Sequence, residues 1–218
     1  MKRMLVVMLL ALVLMGVRAQ AGFYNEKLAE FARMRPVDST DVVMLGDEFT
    51  EYAGDWNVLL RWKHVRNRGI AGDNVDGVGR RLGQMLKGKP KAVFLMVGSR
   101  DILDGTSAQA LLDRYAALVK KIRQLSPSTK LYVQSLLPIN EAYKRDDLDG
   151  KTEVVSAFNR SLRHYCERNK IVYINLFKSF VRRGTNELRR ELTQDGYALS
   201  PFGYKLWAFE IKKYLVEG

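Results

Sequence analysis

Cysteine and histidine are scarce in this sequence: Cys166 is the only cysteine, and His64 and His164 are the only histidines. A single cysteine excludes an intramolecular disulfide, even in an oxidising compartment. Paired Cys/His metal motifs, the HExxH motif and the P-loop are all absent. The sequence therefore predicts no metal ion and no other cofactor.

Long apolar runs are absent after residue 21. The one such run, residues 4–17, lies between Met1-Lys2-Arg3 and Arg18-Ala19-Gln20-Ala21. A basic start, a short apolar stretch and small residues at its end are typical of a secretory signal peptide, and the run is short for a transmembrane span. We therefore expect residues 1–21 to be a cleaved signal, the protein to be periplasmic or extracellular, and no stable membrane insertion after cleavage.

Acidic residues are fewer than basic ones, with 24 Asp and Glu against 36 Lys and Arg and a formal net charge of +12. The basic residues are scattered and form neither an arm nor an aromatic–basic motif, so a solvated basic surface is favoured and no nucleic-acid partner is predicted. Hydrophobic residues make up 47% of the 218 residues. This composition and length predict one globular domain over residues 22–218.

Short apolar segments alternate with amphipathic ones, which indicates an α/β fold around a mainly parallel sheet. Five segments are predicted strands: 41–45, 65–70, 92–97, 131–136 and 171–174. Three segments are predicted helices: 108–125, 154–168 and 201–216. The glycines at 77, 79 and 83 have the wrong spacing for a dinucleotide-binding loop and are predicted to be packing positions at a helix edge.

Ligands of open α/β sheets bind beyond the carboxyl ends of the strands, so we expect the loops there to hold the site. Four segments stand out: Gly46-Asp47-Glu48, Gly72-Asp73, Gly98-Ser99-Arg100-Asp101 and Asp195-Gly196-Tyr197-Ala198. In order and spacing they resemble the blocks of the SGNH hydrolases, also called the GDSL esterase family, which read G-D-S, G-D, G-x-N-D and D-x-x-H. Residues 133–140 and 202–207 also resemble this family, especially its exported bacterial acetylesterase-like members.

The resemblance covers nearly all of the chain after residue 21. It implies a three-layer α/β/α sandwich with a mainly parallel five-stranded sheet, similar to flavodoxin. It also implies serine-esterase chemistry, in which the serine attacks an ester carbonyl and a histidine, oriented by an aspartate, takes its proton. Backbone N–H groups and the asparagine side chain stabilise the oxyanion.

Carried over residue by residue, two family positions match this sequence: the oxyanion-hole glycine is Gly72 and the orienting aspartate is Asp195. Three do not match. Glu48 occupies the nucleophile position, Arg100 the asparagine position and Ala198 the histidine position. The resemblance therefore implies an esterase fold that lacks the nucleophile, the side-chain oxyanion donor and the base.

Substitutes for the missing groups are hard to find in the sequence. His64 precedes the second strand and His164 lies within a predicted helix, so both are predicted to be structural. Ser99 and Ser200 lie near the site, but neither has an evident base partner. We therefore expect no ordinary esterase turnover.

The altered site permits several interpretations. Glu48 and Arg100 are expected to be neighbours and to form a charge-assisted pair that plugs the oxyanion pocket. The residues expected around the remaining cleft, for a glycan or a small acyl ester, are Asp47, Asp73, Asp101, Asp195 and Tyr197. A role of the two replacements in fold stability alone stays open.

A third interpretation keeps the protein an enzyme. Glu48 and Asp195 are two carboxylates near one cleft, and such pairs perform acid–base hydrolysis of esters or glycans. A neighbouring cation such as Arg100 lowers the pKa of a carboxylate, which is unfavourable for an acid catalyst. This active hydrolase is the alternative to a catalytically impaired one.

Overall fold

The computed structural model describes residues 22–216. The predicted signal peptide, residues 1–21, lies outside this range. Within the described residues the chain divides into two units, the first ending at Pro36 and the second beginning at Val37. Within the first unit, residues 22–33 form helix α1. The second unit contains the sheet and the candidate site.

A five-stranded, all-parallel sheet forms the centre of the second unit, in the order β2-β1-β3-β4-β5. The strands are β1 Val42–Gly46, β2 Val65–Gly69, β3 Ala92–Met96, β4 Lys130–Gln134 and β5 Val172–Ile174. Every residue of β1 and β3 is buried, as expected of central strands that are covered on both faces. The predicted α/β fold with five strands is confirmed, with small shifts at the strand ends.

Helices lie on both sides of the sheet. Those of the second unit are α2 Glu48–Glu51, α3 Trp56–Leu60, α4 Val75–Leu86, α5 Ser99–Leu103, α6 Ala108–Leu125, α7 Thr152–Arg168, α8 Phe177–Phe180 and α9 Pro201–Val216. The predicted bounds of α6 and α9 are confirmed, and α7 begins two residues before the predicted start. In the part of the chain that the structure describes, no helix is long and apolar enough to cross a membrane.

Helix α4 contains the three glycines that the sequence places at a helix edge. A Cβ atom at Gly77 would lie 1.7 Å from Oδ1 of Asp73, so this position needs a glycine because a side chain approaches closely. A Cβ atom at Gly83 would meet no other atom within 4 Å. The packing role predicted for these glycines therefore holds at Gly77 and not at Gly83.

Arg81 of α4 forms a buried ion pair below the site. Its Nε lies 2.8 Å from Oδ2 of Asp73, and both side chains are 2% exposed. Its other nitrogens donate to the carbonyl oxygens of Gly46 and Arg68, each at 2.8 Å. One guanidinium thus joins α4 to the ends of β1 and β2 and to the loop after β2.

Candidate active site

The loops after β1, β2 and β3 meet at the carboxyl edge of the sheet, as predicted. Glu48 is the first residue of α2, Gly72 follows β2, and Ser99 is the first residue of α5. The backbone at the end of β1 is tightly packed: a Cβ atom at Gly46 would lie 2.1 Å from the carbonyl oxygen of Met96. A glycine there lets the first loop turn directly beside β3.

Asp47 is fully buried at the N-terminus of α2. Its Oδ1 accepts a hydrogen bond from the N–H of Phe49 at 3.2 Å and so caps the helix. Its Oδ2 has no hydrogen-bond partner among residues 22–216. Burial, and to a smaller extent the charge of Glu48, raises the pKa of Asp47 well above its usual value. Asp47 is thus an internal helix cap that favours its neutral form.

The Glu48 carboxylate contacts two donors from distant parts of the chain. Oε2 accepts a hydrogen bond from the N–H of Gly72 at 3.2 Å, and Oε1 accepts a hydrogen bond from the hydroxyl of Tyr197. Gly72 has a φ of +75°, in the left-handed region that favours glycine. This backbone turn presents the Gly72 N–H to the carboxylate.

The expected ion pair between Glu48 and Arg100 is wrong. Arg100 instead pairs with Asp104, one helical turn further along the chain, with its Nε 3.0 Å from Oδ2 and its Nη2 2.9 Å from Oδ1. The hydrogen bond that Arg100 donates to Asp104 is the main cause that raises the pKa of Arg100, and the charge of Glu48 contributes less. Arg100 therefore lies within electrostatic range of Glu48 without forming an ion pair with it.

Tyr197 lies almost fully buried beside Glu48. Its ring packs against Phe49 with a centroid distance of 4.7 Å, and the guanidinium carbon of Arg145 lies 5.5 Å from its centroid. Burial first, and then the charge of Glu48, raises the pKa of Tyr197 well above its usual value. The neutral phenol is therefore a stable hydrogen-bond donor to the carboxylate.

Asp195 organises the loop that carries Tyr197. Its Oδ1 accepts the N–H groups of Tyr197 at 2.9 Å and of Ala198 at 2.7 Å, and its Oδ2 contacts Arg145. The Ala198 side chain is exposed. Asp195 thus holds in place a loop in which the exposed residue, Ala198, carries only a methyl group.

Three of the carboxylates expected around a ligand cleft need correction, and one of them is Asp47, which is fully buried as described above. Asp73 is 4% exposed and is engaged by Arg81, and Asp101 is 2% exposed and accepts the Val75 N–H at 3.0 Å. Burial raises the pKa of both carboxyl groups. Their role in this structure is to hold α4 against the neighbouring loops, because neither presents its oxygens to solvent.

Arg145 is a site residue that the sequence analysis missed. It lies between two 3-10 turns, Glu141–Tyr143 and Asp146–Leu148, in the long loop after β4. Its guanidinium contacts Asp195 and binds Asp147 with a distance of 2.7 Å from Nη2 to Oδ2. No motif marks this residue, because only the tertiary structure brings it to the loop of Asp195.

The two histidines lie away from this cluster. His64 is exposed with a φ of +64° just before β2, and His164 is exposed on α7, with its Nδ1 3.4 Å from Glu167. Ser200 donates a hydrogen bond to the carbonyl of Glu191 at 3.0 Å. Among residues 22–216, no group of three or more His, Cys, Asp or Glu side chains is arranged to hold a metal ion.

Residues 37–206 match the model of the GDSL-like lipase/acylhydrolase family. No match was found among curated proteins. The fold is similar to that of a Streptococcus pneumonia protein described as a platelet activating factor. That protein is 23% identical over 97% of this chain and 98% of its own, with a TM-score of 0.81.

Two further solved structures are similar to this chain. A GDSL-like lipase from Bacteroides thetaiotaomicron is 19% identical over 89% of this chain and 97% of its own, with a TM-score of 0.77. An acetyl xylan esterase is 20% identical over 81% of this chain and 100% of its own, with a TM-score of 0.68. At these identities the structural similarity is evidence for the fold alone.

Proposed function

The chain belongs to the GDSL-like lipase/acylhydrolase family, and we propose that it is a member without serine-esterase turnover whose fold binds a glycan or a small acyl ester. The observation that carries this proposal is the hydrogen bond from the Gly72 N–H to the Glu48 carboxylate. By resemblance, Gly72 is the backbone donor that would stabilise the oxyanion of an esterase, and Glu48 stands where the nucleophile would be.

A carboxylate at this point opposes ester hydrolysis in two ways. It occupies the Gly72 N–H, which would otherwise be available to a developing oxyanion. It also places a negative charge where the reaction would create another, and like charges repel strongly where solvent screening is reduced. The donor from Tyr197 holds the carboxylate in this position.

The missing base adds to this effect. Ala198, at the histidine position of the family motif, has no group that could accept a proton, and the two histidines of the chain lie elsewhere. Loss of one triad member typically reduces turnover by several orders of magnitude. Loss of nucleophile, base and side-chain oxyanion donor together therefore supports a binding role.

The proposed ligand class follows from the family and from the exposed groups of the site. One protein with this fold is described as an acetyl xylan esterase, and by analogy with it we propose a carbohydrate that carries acyl groups. Arg100 and the Arg145–Asp195 pair are partly exposed and offer charged donors and acceptors to sugar hydroxyls or to an ester carbonyl. The signal-like segment of residues 1–21 supports export to the periplasm or the extracellular space, where such ligands are found.

A hydrolase built on Glu48 and Asp195 is the less favoured proposal. Both oxygens of Glu48 accept hydrogen bonds, from Gly72 and Tyr197. Asp195 accepts hydrogen bonds from two backbone N–H groups and forms an ion pair with Arg145. Carboxylate oxygens that are already occupied by donors of the protein are poorly placed to contact the reacting atoms of a substrate.

Purified protein is therefore expected not to hydrolyse short p-nitrophenyl esters or acetylated sugars above the uncatalysed background, because no nucleophile is activated. The measurement is release of p-nitrophenol and of acetate, for the wild type, for Glu48→Ala, and for Glu191→Ala as a matched change of an exposed carboxylate. Wild-type turnover that is lost in Glu48→Ala and kept in Glu191→Ala would instead assign catalysis to Glu48 and reject the proposal.

A further inference from the structure

Helix α9 carries an exposed row of aromatic and basic side chains. Phe202 is 55% exposed and Phe209 is 76% exposed. Lys205 and Lys212 are exposed as well. Residues three, four or seven positions apart lie on the same side of a helix, so these four side chains form one row. We call this row the α9 stripe.

Helix α9, which carries the stripe, packs against the core. On the opposite side of α9, Trp207, Ile211 and Leu215 are buried. The indole N–H of Trp207 donates to the side-chain oxygen of Gln134 on β4 at 2.7 Å. The exposure of the two phenylalanines is therefore a property of the folded surface, and transfer of these side chains from water to an apolar layer is favourable.

Within the α9 stripe itself, the charged side chains have one sign. Within residues 22–216, neither Lys205 nor Lys212 forms an ion pair. Glu210, the only acidic residue of α9, accepts a hydrogen bond from the Ser179 hydroxyl at 2.7 Å. The stripe thus combines aromatic side chains with unpaired positive charge, on a chain whose formal net charge is +12.

We propose that the α9 stripe binds the surface of an anionic phospholipid bilayer. Phenylalanine side chains insert at the boundary between headgroups and acyl chains, and lysines keep their ammonium groups among the lipid phosphates. Each lysine near an anionic bilayer adds to the electrostatic attraction. The combination of inserted Phe and surrounding Lys fits this partner in both chemistry and charge.

Self-association through the same row is electrostatically unfavourable. A symmetric contact between two copies would bring the lysines of one copy against those of the other, because a two-fold interface pairs a patch with itself. The stripe itself contains no acidic side chain that could offset this repulsion. A bilayer of anionic lipid supplies the opposite charge and an apolar layer at once.

The stripe also begins close to the candidate site. Pro201 starts α9 directly after the loop of Asp195 and Ala198, and Phe202 is the next residue. Ala198 is exposed. Binding through the stripe would hold this edge of the site near the lipid surface. Lipid binding by the stripe does not require a catalytic site, because the stripe belongs to the surface of α9 alone.

The test is co-sedimentation of the full chain with vesicles of phosphatidylcholine alone and of phosphatidylcholine mixed with phosphatidylglycerol. We expect binding to the mixed vesicles that weakens as salt is added. Phe202→Ser and Phe209→Ser should each reduce the partition coefficient about tenfold or more. Lys205→Gln and Lys212→Gln should each reduce it about fivefold, which corresponds to the contribution of one lysine.

Matched controls come from α6, where Leu125 and Lys120 are also exposed. Leu125→Ser and Lys120→Gln should leave vesicle binding unchanged. All variants are made in the full chain, so any affinity of residues 1–21 for lipid is common to all of them. The proposal is overturned if the stripe variants bind like the controls. It is also overturned if Phe209→Ser changes only the oligomeric state in sedimentation equilibrium, since the row would then be a contact between copies.

Discussion

The triple variant Glu48→Ser/Arg100→Asn/Ala198→His should hydrolyse p-nitrophenyl acetate at least about a hundredfold faster than the wild type. The expected gain is a small part of what a complete triad supplies, because only the missing groups are restored and their surroundings are not optimised. Two parts of the machinery are already in place. The Gly72 N–H points to the position of the Glu48 carboxylate, and Asp195 already contacts the backbone of residue 198.

Each substitution in this variant restores one of the three missing groups. Glu48→Ser supplies the nucleophile and removes the carboxylate from the Gly72 N–H. Ala198→His supplies the base at an exposed position beside Asp195, and Arg100→Asn supplies the side-chain oxyanion donor. The control is Glu48→Ser/Arg100→Asn without the histidine, which should remain near the wild-type rate. A triple variant that folds, as judged by circular dichroism, and is no faster than this control would contradict the explanation.

Arg81→Met should lower the free energy of unfolding by about 3–5 kcal/mol. The substitution leaves Asp73 as a buried carboxylate without its cation and removes the donors to the carbonyl oxygens of Gly46 and Arg68. The measurement is equilibrium unfolding in urea. Arg80→Met, on the neighbouring exposed position of the same helix, should change the free energy of unfolding by no more than about 0.5 kcal/mol.

A double variant distinguishes loss of the ion pair from loss of packing. The unpaired carboxylate is expected to cause most of the loss of unfolding free energy in Arg81→Met. In that case Asp73→Asn/Arg81→Met should be more stable than Arg81→Met alone, because no buried charge remains. If Arg81→Met and Arg80→Met lost equal amounts of unfolding free energy, the buried ion pair would not be what stabilises the fold. Since Asp73 and Arg81 lie below the site, the triple variant above should keep this contribution to stability.

Much of the fold could be predicted because local pattern and tertiary burial agree. Strands β1 and β3 are continuous apolar runs, and central parallel strands are buried on both faces. Helix α6 shows the apolar spacing of a helix that covers a sheet, and its predicted bounds are confirmed. In both cases the residues that give the pattern are the residues that form the core.

Helix α4 was harder to predict because local preference and tertiary structure disagree. Gly77, Gly79 and Gly83 weaken the intrinsic helix preference of this segment. In the structure, Oδ1 of Asn74 accepts the N–H of Gly77 at 2.8 Å and so caps the start of the helix. The buried contacts of Arg81 then hold the helix in place.

The loop motifs predicted which residues meet in the site, but not how their side chains pair. Glu48 and Gly72 do come together. The partner of Glu48 was predicted wrongly, because Tyr197, 149 positions further along the chain, supplies a donor that spacing does not reveal. Arg100 instead pairs with Asp104, one helical turn further along the chain. Which partner a charged side chain contacts depends on its conformation in the fold, and the sequence pattern does not specify that conformation.

Labelling of the wild-type protein with a fluorophosphonate shows whether the protein contains an activated serine. This probe forms a covalent bond with any serine that a neighbouring base activates, whatever the natural substrate is. We predict no adduct in the intact mass, because Glu48 occupies the nucleophile position and Ala198 the base position. An adduct on Ser99 or Ser200, formed at a rate comparable to that of an active esterase, would show that the site retains an activated nucleophile and that the protein is not impaired as a serine esterase.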